Sequence, residues 1–369
     1  MPTMTRRLRA LDVFRGLTVA AMILVNSSGR DETYAILDHA PWNGLTLADL
    51  VFPSFLLIVG VSAALAYAIR LERGQTPLQM EMHSAWRALG LFVLGLLVNV
   101  VIFRDGGQVR WPGVPQRIAL CFLGASIFLL LDRPRLEPAV AAVLLAGYWA
   151  LLTRVPVPGH GAGVLTPEGN LASWLDRRLM GGHLMTPLQD PEGLLSTLPA
   201  FATTMIGLIA GRRILRERTS KRCAAELALA GLGLATLGAL WSRSFPLNKH
   251  LWTSSYALVS SGICLAALAG CLLFLGEDPP RALAPMETLG RRALAAYILS
   301  GFVYGILEFV PASLTGGAPG NLKLWLTARM FDPWLGPRSA SLAFAVSFTA
   351  LAAAVASFAD PRIGLKAHK

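Results

Sequence analysis

Apolar residues come in long uninterrupted runs along this chain. Ten runs approach or exceed the length needed to cross a bilayer, at about 10–27, 48–69, 86–103, 116–131, 137–153, 196–211, 223–241, 252–275, 291–310 and 339–358. They predict an all-α, polytopic membrane bundle of about ten transmembrane helices, with the 310–340 region as a candidate re-entrant piece. The shortest runs hold about sixteen residues, which implies tilt or local thinning of the bilayer. Gly and Pro gather at run ends, while Gly231, Gly233 and Gly238 lie inside a run and permit close helix contact. No internal repeat is visible, so residues 1–369 read as one transmembrane domain, with the loop at about 154–195 as a candidate lid.

Charge orients this array. Of the 33 Lys and Arg residues, 20 fall on the side of the N-terminus and 12 on the other, with Arg15 inside the first run. The RRILRERTSKR segment gives the strongest single bias. The excess predicts that both termini are cytoplasmic. Composition agrees with life in lipid: 54% hydrophobic residues, 15% charged, mean hydropathy +0.53. The formal charge of +11 therefore reflects Lys and Arg flanking spans rather than a nucleic-acid surface, since no basic patch interleaves with aromatics in a soluble region. The first run lacks a small-residue cleavage site and contains Asp12 and Arg15, so a cleavable signal peptide is not expected.

Polar residues within or beside the runs are the functional candidates, because ionisable groups are costly there. The stretch from His39 to Gly60, HAPWNGLTLADLVFPSFLLIVG, joins a polar, aromatic head (His39, Trp42, Asn43, Asp49) to a span. Asn26 closes the preceding run. His39, Gln116–Arg117, Asp190–Glu192 and Asn248–Lys249 are far apart in sequence, yet the predicted topology puts all of them at the outer ends of spans. Packing those ends together would form one polar chamber.

An unperturbed imidazole titrates near neutral pH, so His39 suits a general base or a nucleophile. Asp49, ten residues on, either orients the imidazole or caps the second span, where ThrLeuAlaAsp resembles a helix-start box. Asp12 and Arg15 share a helix face and can pair; Arg15 is otherwise a phosphate contact. Arg117 and Lys249 are cationic candidates for phosphate or substrate, or else interfacial snorkelling residues. Trp252 and Tyr256, four apart, offer a stacking face or an interfacial belt. Trp42 reads as a substrate contact or an interfacial anchor. Glu192 either holds a sugar hydroxyl or ammonium, or caps a helix. Cys121, Cys223, Cys264 and Cys271 form no CxxC pair, and no His has ligand spacing, so no metal is expected. Walker A, GxGxxG and GxSxG motifs are absent.

RALDVFRGLTVAAMILVN followed by HAPWNGLTLADLVFPSFLLIVG resembles the catalytic domain of the heparan-α-glucosaminide N-acetyltransferase family. VPQRIAL at 114–120, DPEGLLSTLPA at 190–200, PLNKHLWTSSY at 246–256 and LGRRALAAYILS at 289–300 extend the likeness in the same order. The resemblance implies an integral membrane acyltransferase that moves an acetyl group from acetyl-CoA to the amine of a glucosamine-type sugar on the outer face. It makes His39 the catalytic residue and Asn26 a second important position, with Asp49 added here as the orienting acid. The expected donor contacts are Arg15, Gln116, Arg117, Asn248, Lys249 and Trp252. The expected acceptor contacts are Trp42, Asn43, Asp190, Glu192 and Tyr256. Membrane lipid and an amino sugar or glycan are the expected partners, a homodimer is expected only from the frequency of symmetric assemblies, and nucleic acid is not a partner. Bacterial members of the family suggest an inner membrane with the site toward the periplasm. The rival reading is an amino-sugar transporter without covalent chemistry, against which stands the lack of an inverted repeat.

Overall fold

The computed structural model describes residues 8–102, 108–217, 220–314 and 318–358. Thirteen α-helices, two short 3-10 turns and one small hairpin make up the regular structure among them. Residues Phe52–Leu273 with Ala40–Leu45 form one compact unit, and Leu8–His39, Thr46–Val51 and the chain from Phe274 onward form a second.

The first unit holds α2 (Val51–Glu72), α3 (Pro77–Ile102), α4 (Val114–Leu131), α5 (Leu136–Arg154), α6 (Leu171–Met180), α7 (Thr197–Glu217), α8 (Lys221–Trp241) and α9 (Ser254–Leu275). All but α6 are long and apolar enough to cross a membrane. Their outer surfaces carry bare aliphatic and aromatic side chains such as Val143, Leu229, Leu232 and Phe274, the surface that lipid rather than water covers. Between helices, where lipid gives no hydrophobic drive, close approach of backbones holds neighbours together. Gly231 of α8 and Gly262 of α9 lie against each other's carbonyl oxygens, so a methyl at either would overlap the neighbouring backbone. Gly238 makes a similar approach to Ser255, whereas Gly233 faces open space and contributes nothing to this seam.

The second unit holds α1 (Arg9–Asn26), α10 (Ala284–Arg291), α11 (Ala293–Phe309), α12 (Leu322–Met330), α13 (Pro337–Phe358) and the antiparallel hairpin of β1 (Pro311–Ser313) and β2 (Pro319–Asn321). α1 packs mainly on α10, at a crossing where Gly16 abuts the Met286 carbonyl and Gly290 abuts that of Asp12.

Among the described residues, eight helices can cross a membrane unaided, the eighth being α13; the count is nine if the segment Arg281–Arg291 and α11, bent by 81° at their junction, form one broken span. The chain is thus an all-α integral membrane protein. The expected ten spans become eight or nine because α1 carries Arg9, Asp12 and Arg15 and the 291–310 run belongs to the bent pair. Before α13, the described residues of the 310–340 region form the hairpin and the nine-residue α12, too short to span. Within the 154–195 loop the structure adds an amphipathic helix, α6, whose start is capped by Asn170 Oδ1 accepting from the Ser173 amide at 2.7 Å.

Candidate active site

In the second unit, the chain leaves α1 at Asn26, runs through a polar loop to His39, and returns at Thr46 to a single 3-10 turn, Ala48–Leu50, that opens α2. Asp49 in that turn is completely buried and His39 Nδ1 lies 2.8 Å from its Oδ1. The other carboxylate oxygen accepts from both the backbone N–H and the hydroxyl of Thr46, each at 3.1 Å. One Asp49 oxygen thus faces the imidazole and the other faces the Thr46 groups just before the turn. Across this distance an Nδ1–H tautomer of His39 donates to an ionised Asp49. The His39 side chain is 42% exposed while its partner is sealed. His39 is also tied through its own N–H, which donates to Asp38 Oδ1 at 2.8 Å.

Asn26 is the last residue of α1 and is exposed. Arg15 makes the predicted pair with Asp12 at 2.8 Å and adds a bond to the Gly290 carbonyl at 3.4 Å, so its guanidinium is engaged between the helices.

In the first unit the other singled-out segments meet. Arg117, near the start of α4, is 1% exposed. Its Nη2 donates to the Gly193 carbonyl at 3.0 Å and to Ser196 Oγ at 2.5 Å, and its guanidinium lies 5.3 Å from the ring centre of Trp252. Nε and Nη1 find no hydrogen-bond partner among the described residues. This burial rules out a snorkelling role at an interface. Gln116 is buried too, donating to the Trp111 carbonyl while its Oε1 stays unpartnered among the described residues. Trp252 and Tyr256 are core residues, not an interfacial belt: both are sealed, in edge-on contact at 5.3 Å, and Trp252 also meets Phe52 and donates to Thr203 Oγ1 at 3.3 Å. Trp252 sits at φ 51°, a left-handed conformation that a bulky residue seldom adopts and that packing on all sides enforces here.

Asn248 is a fully buried tie: its amide donates to Asn43 Oδ1 at 3.1 Å and its Oδ1 accepts from the Leu251 amide at 2.8 Å. Lys249 lies half-buried in the same loop. Trp42 stacks on His250 with centroids 5.2 Å apart and donates to the Leu165 carbonyl at 3.0 Å, so the first unit holds it by both face and edge.

Asp190 and Glu192 are not open to a ligand's ammonium in this arrangement. Arg110 reaches Asp190 with two bonds, 2.8 and 2.6 Å, and also binds Glu192. Asp190 further accepts from the amides of Met185 and Glu192. Burial works against the Arg110 charge, but the two carboxylates outweigh it and raise the pKa of the guanidinium. Asp176 of α6 completes the group; its Oδ1 accepts from the Leu194 amide at 2.9 Å and its Oδ2 presses on Gly193. Burial, helped by the nearby Asp190 charge, pushes its carboxyl up to about 6 against the Leu194 bond and Arg117.

Arg110, Asp176, Ser196 and His250 belong to this polar group and are not singled out by the sequence pattern. Only the PLNKHLWTSSY and DPEGLLSTLPA segments point near two of them. No three His, Cys, Asp or Glu side chains gather as a metal site would need, among the described residues.

Residues 7–241 match the family described as "Heparan-alpha-glucosaminide N-acetyltransferase, catalytic". The chain belongs to this family. Two heparan-alpha-glucosaminide N-acetyltransferases are similar to it: that of Mus musculus at 32% identity over 324 residues, covering 73% of this chain and 49% of the relative, and that of Homo sapiens at 31% over 318 residues, covering 71% and 48%. The chain thus spans about half the length of either relative. The family match takes in Asn26, His39, Asp49, Arg110, Arg117, Asp176 and Asp190, and ends before the loop that carries Asn248, Lys249 and Trp252.

Proposed function

We propose that this family member is a membrane N-acetyltransferase that passes an acetyl group from acetyl-CoA to the amine of a glucosamine-type sugar. The observation that carries the reading is the His39–Asp49 bond, with a sealed carboxylate fixing the tautomer of a half-exposed imidazole. Nε2 is then the nitrogen that handles the chemistry. As a base, it takes the amine proton while the amine nitrogen bonds to the thioester carbon, the C–S bond breaks, and the proton passes to the CoA thiolate. As a nucleophile, Nε2 first bonds to that carbon and expels the thiolate; in a second step the amine nitrogen bonds to the acetyl carbon, the bond to Nε2 breaks, and the amine proton passes to the thiolate. Asn26 would donate to the oxyanion in either route.

Arg15, one of the cations proposed for the donor's phosphates, is engaged by Asp12. A cytosolic acetyl-CoA donor and an acceptor on the outer face are what the family resemblance implies.

The test uses purified protein with acetyl-CoA and glucosamine. Matched release of free CoA and appearance of N-acetylglucosamine by mass spectrometry are expected. Uptake of unmodified glucosamine into proteoliposomes, with no CoA released, would instead establish a transporter.

A further inference from the structure

The turn that follows Asn26 is held in an unusual way. Helix ends fray unless their last groups are tied, so a catalytic amide at the end of α1 needs its exit fixed. Here the ties are not local. Tyr304 Oη donates to the Ser28 carbonyl at 2.9 Å, and the single Thr327 hydroxyl proton is shared between the Lys323 carbonyl at 2.9 Å and the Gly29 carbonyl at 3.2 Å. The Gly29 amide donates to the Ser341 carbonyl at 3.4 Å. Ser341 Oγ accepts from the Arg30 amide at 3.1 Å and lies 3.2 Å from the Arg30 carbonyl, to which it donates. The Arg30 guanidinium in turn grips Asp332. Three hydroxyls and one carbonyl, all from residues 304–341, thus hold consecutive backbone groups of residues 28–30.

The Tyr304 and Ser341 hydroxyls are committed to this turn. Thr327 and Ser341 are buried. Lys323 Nζ lies 3.3 Å from Tyr304 Oη, and an ammonium can only donate, so the single Tyr304 proton is left for Ser28. Gly29 makes the approach feasible: a Cβ there would sit 2.6 Å from Thr327 Oγ1 and 2.7 Å from Phe344 Cβ. Every clamping residue lies beyond residue 241, where the family match ends.

We infer that Tyr304, Thr327 and Ser341 are positioning residues that hold Asn26 in its catalytic place through the turn at 28–30. This rests on the reading of Asn26 as an oxyanion donor. The clamp has no part in binding either substrate, so its loss should lower turnover and leave the Michaelis constants alone.

The experiment is a set of double-mutant cycles on the full chain, read as kcat and KM for acetyl-CoA and glucosamine. Tyr304→Phe removes a single oxygen and is the variant least prone to misfold; Thr327→Val and Thr327→Ser form the second pair. Tyr304→Phe and Thr327→Val are expected to lower kcat about ten- to hundredfold with KM held within about twofold, and Thr327→Ser to restore it. In an Asn26→Ala background, already slowed by about ten- to a thousandfold, either change should cost nothing more. Losses that multiply in that background, or wild-type turnover in Tyr304→Phe and Thr327→Val beside a slow Asn26→Ala, would overturn the positioning role alone. Wild-type turnover in Asn26→Ala would overturn the reading of Asn26 itself, and the positioning role with it.

Discussion

Asp49 divides its two carboxylate oxygens between His39, at 2.8 Å, and Thr46, at 3.1 Å. The division couples the start of α2 to the tautomer of the imidazole: whatever fixes that turn also fixes the ring. It also lets the two roles be separated by mutation.

Asp49→Asn keeps an oxygen for Thr46 but offers the ring an amide in place of a charge, which no longer selects the Nδ1–H tautomer. Turnover should fall on the order of 10²–10⁴-fold with KM little changed. Thr46→Val should do the reverse, costing about 1 kcal/mol of stability at the helix start with most turnover retained. Steady-state kinetics and thermal unfolding of both variants check the pair of expectations.

Arg110 is the guanidinium that binds Asp190 and Glu192; it and Asp190 are buried, and Glu192 is largely so. Arg110→Ala leaves two carboxylates buried without their cation and should destabilise the first unit by about 3–5 kcal/mol. A thermal shift in detergent measures it. Arg110→Ala with an unchanged melting temperature would show that the loop at 190–196 is held by something else.

Asp176 binds a proton more tightly folded than unfolded, since burial lifts its carboxyl to about 6 from an ordinary value near 4. The folded state therefore holds the extra proton between those values, and stability falls as pH rises from about 4 through about 6. Asp176→Asn keeps an acceptor for the Leu194 amide and removes the titration. Melting temperature against pH should flatten over that window in the variant; curves of equal slope would contradict the assignment.

The spans are legible in the sequence because an apolar run of bilayer length carries its own signal. The shortfall from ten to eight or nine arises at α1, which begins with Arg9 and carries Asp12 and Arg15 within its run, and at the bend after Arg291, a tertiary feature. His39 and Asp49 are legible as a pair because they are ten residues apart around one turn. Arg110 and Asp176 are not, since each gains its meaning from a loop some 80 or 18 residues away. Trp252 and Tyr256 read as surface aromatics for a related reason. Spacing of four gives a shared helix face but cannot say whether that face meets lipid, a ligand or the core, and Trp252 lies outside the helix, at a positive φ. The ties from residues 304–341 onto the turn after Asn26 span nearly 300 residues and leave no trace in local pattern.

The central claim is that the imidazole of His39 carries the transfer. The most direct measurement is the rate of CoA release from acetyl-CoA in the presence of glucosamine, wild type against His39→Ala, in protein of matched folding. A fall of at least about a hundredfold in His39→Ala, with N-acetylglucosamine lost in step, is the predicted result. CoA release and sugar acetylation at the wild-type rate without that ring would contradict it.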